Sequence, residues 1–143
     1  MKFPRSPYDR EQDIVYFPRM TDKIRMHQCG DLPSDYHANL GRGFDQRCCD
    51  FLGVDYDDLA VQVGAGKSDA EVLEWCFEHG RRPAMADIFM WNEFLRKCGW
   101  NDDLSSRVRE RLAGLGLSDR TDIVTIFDLI EVDEGRSPRG GKL

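Results

Sequence analysis

Between Asp31 and Arg47 the chain runs Asp31-Leu32-Pro33-Ser34-Asp35-Tyr36-His37-Ala38-Asn39-Leu40-Gly41-Arg42-Gly43-Phe44-Asp45-Gln46-Arg47, a dense set of donors, acceptors and one imidazole with few apolar anchors. Gly41 and Gly43 allow the backbone to approach a ligand, and free N–H groups ahead of a helix, joined by Arg42 or Arg47, suit a small anion. Tyr36, His37, Asn39, Arg42 and Arg47 are therefore the expected ligand-binding residues. Where chemistry occurs, His37 is the natural general acid or base, because an imidazole titrates near neutrality. Its candidate companions are Asp35, Asp45 and the thiols of Cys48 and Cys49 at the start of a short helix, where the dipole favours a thiolate. The catalytic candidates are thus His37, Asp45 and Cys48. The competing reading is structural: Tyr36, His37 and Asn39 tie a long loop to the core, and the cysteines pack as small hydrophobes.

Other motifs fail on their own spacing. Gly64-Ala65-Gly66-Lys67-Ser68 resembles the end of a phosphate-binding loop, but the first required glycine is Val61 and the preceding pattern is helical. Asp55, Asp57 and Asp58 lack the glycine and glutamate of a calcium loop, those places being Ala60 and Gly66. Cys76 and His79 share a helix face, yet no Cys/His set has structural-zinc spacing. No metal and no cofactor are expected. Trp75, Trp91 and Trp100 fall on helices or helix corners where core packing accounts for them.

Composition narrows the class further. A chain of 143 residues with 41% hydrophobic and 32% charged residues is a single soluble domain large enough to bury a core without staples. Its net charge of −6 disfavours nucleic acid, which would require Arg19, Lys23, Arg25, Arg42 and Arg47 gathered on one face. No apolar run exceeds four residues, too short for a membrane span or an export signal, so the expected location is cytoplasmic. Five cysteines, an odd number, fit reduced buried thiols there.

The elements that would position the loop are helical. Residues 1–17 read as an extended arm. Pro18 suits a first helical turn, with Met20, Ile24 and His27 on one stripe and Gly30 ending it. Asp45 caps a short helix containing Cys48, Cys49 and Leu52. Asp55 starts the next, and Ser68 with Glu71 forms a capping box for 69–78. The helix at about 84–98 is apolar on a broad face, Ile88, Trp91 and Leu95 with Met85, Phe89 and Phe94, and belongs near the centre of the fold. Two more helices follow, marked by Leu104, Val108 and Leu112, then by Ile123, Ile126 and Phe127. Gly53-Val54-Asp55, Gly99-Trp100-Asn101 and Gly116-Leu117-Ser118 each set a stop, an apolar contact and a cap in succession, which makes a tight helix corner. The expectation is an all-α, compact single-domain bundle of about seven helices over 1–136, with a flexible tail at 137–143.

Several stretches resemble one known family: Phe17-Pro18-Arg19-Met20, Asp35-Tyr36-His37-Ala38-Asn39-Leu40-Gly41, Gly43-Phe44-Asp45 with Arg47-Cys48-Cys49, Phe51-Leu52-Gly53-Val54, Trp75-Cys76-Phe77-Glu78 and Asp133-Glu134-Gly135-Arg136. Over nearly the whole length the chain resembles a small bacterial family known as a domain of unknown function, number five-zero-six-nine. That resemblance implies a bacterial cytosolic protein and carries over no activity.

Two functions stand open. The first is a non-catalytic module binding a small molecule or a protein partner around residues 31–47. The second is a small enzyme using His37 with Asp35 or Asp45, or a Cys48 or Cys49 thiol, on a phosphorylated or carboxylate substrate. They separate on whether His37, Asp45 and Cys48 converge in one concavity.

Overall fold

The computed structural model describes residues 2–143. It is mostly helical: α1 (Phe17–Gln28), a 3-10 helix (Ser34–Asn39), α2 (Phe44–Leu52), α3 (Tyr56–Gly64), α4 (Asp69–His79), α5 (Met85–Lys97), α6 (Ser105–Gly114) and α7 (Ile126–Asp133). No helix among the described residues is long and apolar enough to cross a membrane.

Local signals account for most of the boundaries. Pro18 lies in the first turn of α1, Asp55 accepts from the Asp58 N–H to start α3, and Ser68 and Glu71 exchange both capping-box hydrogen bonds at α4. Of the three corners only the first works as expected. Trp100 is exposed, Asn101 has φ +50°, and Asp102 instead collects the Gly99 and Leu104 N–H groups before α6. After Leu117 no helix starts until Thr125 caps α7 by accepting from the Asp128 N–H.

The expected arm is partly a hairpin. Residues β1 (Arg10–Glu11) and β2 (Ile14–Val15) pair antiparallel around Gln12 and Asp13, both at positive φ (46° and 66°), the geometry of a tight two-residue turn. No glycine marks this turn. Tertiary contacts hold it: Asn92 donates to Asp13 O (2.7 Å) and accepts from the Val15 N–H (3.1 Å), and the Trp91 indole donates to Val15 O (3.1 Å).

The main core gathers Ile14, Phe17, Met20, Leu52, Leu59, Leu73, Leu95 and Phe127, with Tyr8, Tyr16 and Phe44 meeting Phe127 ring to ring. A smaller cluster of Val108, Leu112, Ile123 and Leu129 seats α6 on α7. Gly80 makes the closest backbone approach: a Cβ there would lie 2.0 Å from Leu52 O, so only glycine lets the end of α4 meet the end of α2.

Two further expectations are corrected. His27 is exposed instead of lying on the core stripe of α1, its place taken by Met26. Of the expected tail, residues 139–141 are tied to the fold at the fully buried Asp128 carboxylate. It receives the Tyr8 hydroxyl (2.6 Å) and the Arg139 and Gly140 N–H groups (2.8 and 3.0 Å), while Arg96 holds Gly141 O (3.0 Å).

Candidate functional site

The 3-10 helix and the loop after it stand opposite α1, α6 and α7 across a cleft of about 600 Å³. Tyr36, Asn39, Arg42 and Arg47 line one side, and Arg107 and Arg111 of α6 face them. The loop is shaped from within: Gly41 and Gly43 are at φ +73° and +59°, and the Gly41 N–H donates to Asp45 (3.1 Å). A side chain at Gly41 would collide with the Tyr56 ring at 2.9 Å.

The floor of the cleft is built from buried charges. Arg19 donates two hydrogen bonds to Glu134 (2.9 and 2.8 Å), the Tyr36 hydroxyl donates to the same carboxylate (2.5 Å), and Arg136 adds a third partner. Beside it Asp45 accepts from Lys23 (2.7 Å) and from the Tyr16 hydroxyl (2.6 Å), and Lys23 donates to Tyr16 Oη (3.0 Å). Burial alone would raise the Glu134 carboxyl, but the hydrogen bonds and charge of Arg19, with Tyr36 and Arg136, hold it below its ordinary value. For Lys23 burial wins and pulls the ammonium below its usual range, against the raising effect of Asp45. The phenols of Tyr16 and Tyr36 are pushed up by burial and by their carboxylate neighbours, so both stay neutral donors.

Because Glu134 titrates below its ordinary value of 4.5 in the fold, its contribution to stability is complete above that pH and disappears as pH falls through the folded value. Tm should therefore be level from neutrality to about pH 5 and drop steeply below 4.5. A Glu134→Gln variant should start lower and drop less between pH 5 and 3. Equal acid slopes for the two proteins in thermal melts would contradict this assignment.

Four of the five expected ligand residues, Tyr36, Asn39, Arg42 and Arg47, lie at this cleft; His37 does not. His37 is exposed, its Nε2 within 3.0 Å of Leu32 O and its ring edge-on to His27 at 4.7 Å. Asp45 is fully buried and saturated by three donors, and so it neither caps α2 nor reaches His37. Cys48 is fully buried with its thiol pushed well up by burial, and Cys49 is pushed up to about 12 for the same reason. Both thiols are fully buried in the core, and neither lines this cleft. The constellation of His37 with Asp45 and Cys48 is not assembled. Cys76 is likewise buried, whereas His79 is exposed and bonded to Trp75 O, so these two do not meet as ligands.

Arg107, Arg111 and Glu134 were not expected at the site. A signal existed: Arg19 with Lys23 on α1 and Arg107 with Arg111 on α6 are each four residues apart, which places each pair on one helix face. The basic set considered for nucleic acid is split. Arg25 pairs with Asp69 away from the cleft, and Arg19 and Lys23 are neutralised in its floor.

A family model covers residues 1–136. The chain belongs to that family, the domain of unknown function DUF5069. The match includes the whole cleft: the loop at 31–47, both basic helix faces and Glu134. No curated protein matches the chain.

Proposed function

We propose that this DUF5069 chain is a binding module for a small anionic molecule, one bearing phosphate or carboxylate groups, held in the cleft between the 31–47 loop and α6. One observation carries the reading. On a protein of net charge −6, Arg42, Arg47 and Arg107 meet at one concavity, and among the described residues none of the three is in an ion pair. Arg111 joins them with only a long contact to Asp133 (3.8 Å). Tyr36 and Asn39 supply neutral polar groups between the cations, the mixture that orients an anion instead of merely attracting it. Asp35 and Glu110 at the edge set an opposing charge that selects against an extended polyanion. Arg47 is pre-positioned, its guanidinium 5.7 Å from the centre of the Phe94 ring. The cytoplasm is the compartment that suits the five unpaired thiols, four of them buried.

A thermal-shift screen with pyrophosphate, sugar phosphates, citrate and succinate at constant ionic strength tests this reading. A ligand at a hundred times its Kd adds about 2.7 kcal/mol, which is a rise on the order of 8 °C here. Arg42→Ala with Arg107→Gln, both at exposed positions, should remove the shift and leave the unliganded Tm within about 2 °C. A panel without any shift, or a shift unchanged in the double variant, would refute the proposal.

A further inference from the structure

Helical spacing sends two kinds of residue into the cleft. Leu104, Arg107 and Arg111 follow one another at intervals of three and four, which sets them on one face at the start of α6, and Ile126 and Ile130 are four apart on α7. Phe44 opens α2 on the opposite wall. All four apolar residues are half-buried, so the cleft has an apolar strip drawn from three separate segments. Its cations are placed differently: Arg42, Arg47, Arg107 and Arg111 are exposed and stand at the rim.

The floor has no vacancy for an anion. Arg19 and Lys23 are already matched by Glu134 and Asp45, and among the described residues no buried side-chain nitrogen or oxygen lacks a partner. An anion drawn to that depth would lose its hydration without a free donor to replace it. It therefore stays among the arginines. Whatever part of the ligand passes inward must need no hydrogen bond, and Phe44, Leu104, Ile126 and Ile130 offer such a part the surface that a bare inorganic ion would leave facing water.

The arginines also discriminate between anionic heads. A carboxylate presents two oxygens in one plane and is matched by a single guanidinium, whereas donors on facing walls suit the three tetrahedral oxygens of a phosphate. Resting on the anion-binding reading above, we propose that the ligand is a soluble phosphate monoester with a compact apolar body, an alkyl or aryl phosphate. Its phosphate lies among Arg42, Arg47, Arg107 and Arg111, and its body lies on the apolar strip. The cleft volume of about 600 Å³ is that of a small-molecule site. A phosphate displayed on an anionic bilayer is disfavoured by the net charge of −6 and by Asp35 and Glu110 beside the arginines.

Calorimetric titration of the full chain with methyl, butyl and hexyl phosphate at constant ionic strength separates body from head, since all three carry the same phosphate. Each methylene that leaves water should tighten binding roughly fourfold, so hexyl phosphate should bind about 100-fold or more tighter than methyl phosphate. The heat-capacity change should grow more negative along the series. Ile130→Gln should bring hexyl phosphate close to methyl phosphate without weakening methyl phosphate itself. Leu104→Gln should do the same from another element and serves if the first variant misfolds. Arg42→Ala with Arg107→Gln should weaken all three ligands. Equal affinity along the series, or hexyl phosphate indifferent to both apolar-wall variants, overturns this inference while the anion cleft stands. Binding of none of the three, or binding untouched by the arginine double variant, removes the cleft reading and this inference with it. Phosphatidylcholine vesicles carrying phosphatidic acid should not bind; vesicle binding without hexyl phosphate binding would assign the head to a lipid and overturn the soluble ligand.

Discussion

Replacing Glu134 by alanine is expected to destabilise the fold by roughly 3–5 kcal/mol, lowering Tm on the order of 10 °C or more. The magnitude comes from what is left behind. Arg19 is nearly inaccessible, and without Glu134 its guanidinium keeps only the Arg5 carbonyl as an acceptor. A buried cation with no counter-ion costs far more than an ion pair contributes. Tyr36 and Arg136 lose a partner in the same change. The paired substitution of Arg19→Met with Glu134→Leu should recover most of the loss, since neither charge is then buried. Urea unfolding of the two variants beside the unaltered protein checks this, and a Glu134→Ala loss below about 1 kcal/mol would show that the pair is effectively solvated.

A comparable loss, roughly 3–5 kcal/mol, is expected for Asp45→Ala. The carboxylate joins three elements, taking the Tyr16 hydroxyl at the entrance to α1, Lys23 on α1 and the Gly41 N–H of the loop. Its removal leaves Lys23 with Tyr16 Oη as sole acceptor in a buried setting and releases the loop that carries Arg42. Asp45→Asn keeps an acceptor for Tyr16 but not the charge for Lys23, so it should fall between alanine and the unaltered protein. These variants also separate two roles for the residue. A catalytic Asp45 would tolerate asparagine with little change in stability; a structural one would not.

Local signals in the sequence were sufficient for the helices and insufficient for the floor of the cleft, and the difference has a physical origin. Caps such as Ser68 with Glu71, or Pro18 in a first turn, act within one turn of chain, so spacing alone reveals them. Arg19 meets Glu134 across 115 residues and Tyr36 meets it across 98, distances over which no periodicity operates. The 10–15 hairpin escaped detection for a related reason. Gln12 and Asp13 adopt left-handed backbone without glycine, held there by Asn92 and Trp91 from α5. Position 45 illustrates how one residue type serves two tasks: an aspartate ahead of a helix reads as a cap, yet here Lys23 and Tyr16 claim its oxygens and Gly43 begins the helix. His37 was the most chemically suggestive residue of its loop, but the 3-10 turn directs it toward Leu32 and His27, away from the arginines. Met85, Phe89 and Phe94 read as part of the buried face of α5, yet they are exposed, because the helix meets the core through Trp91, Asn92 and Leu95 alone.

The cleft is the central claim, and the most direct measurement is an NMR titration of the isotope-labelled chain with pyrophosphate, repeated with citrate, at fixed ionic strength. At least one of the two anions should produce saturable shifts confined to Tyr36, Asn39, Arg42, Gly43 and Arg47 on one side and to Arg107 and Arg111 on the other. The Arg42→Ala with Arg107→Gln protein should lose them. Shifts that never saturate, that spread over the whole surface, or that cluster on α5 while residues 36–47 stay still would contradict the account.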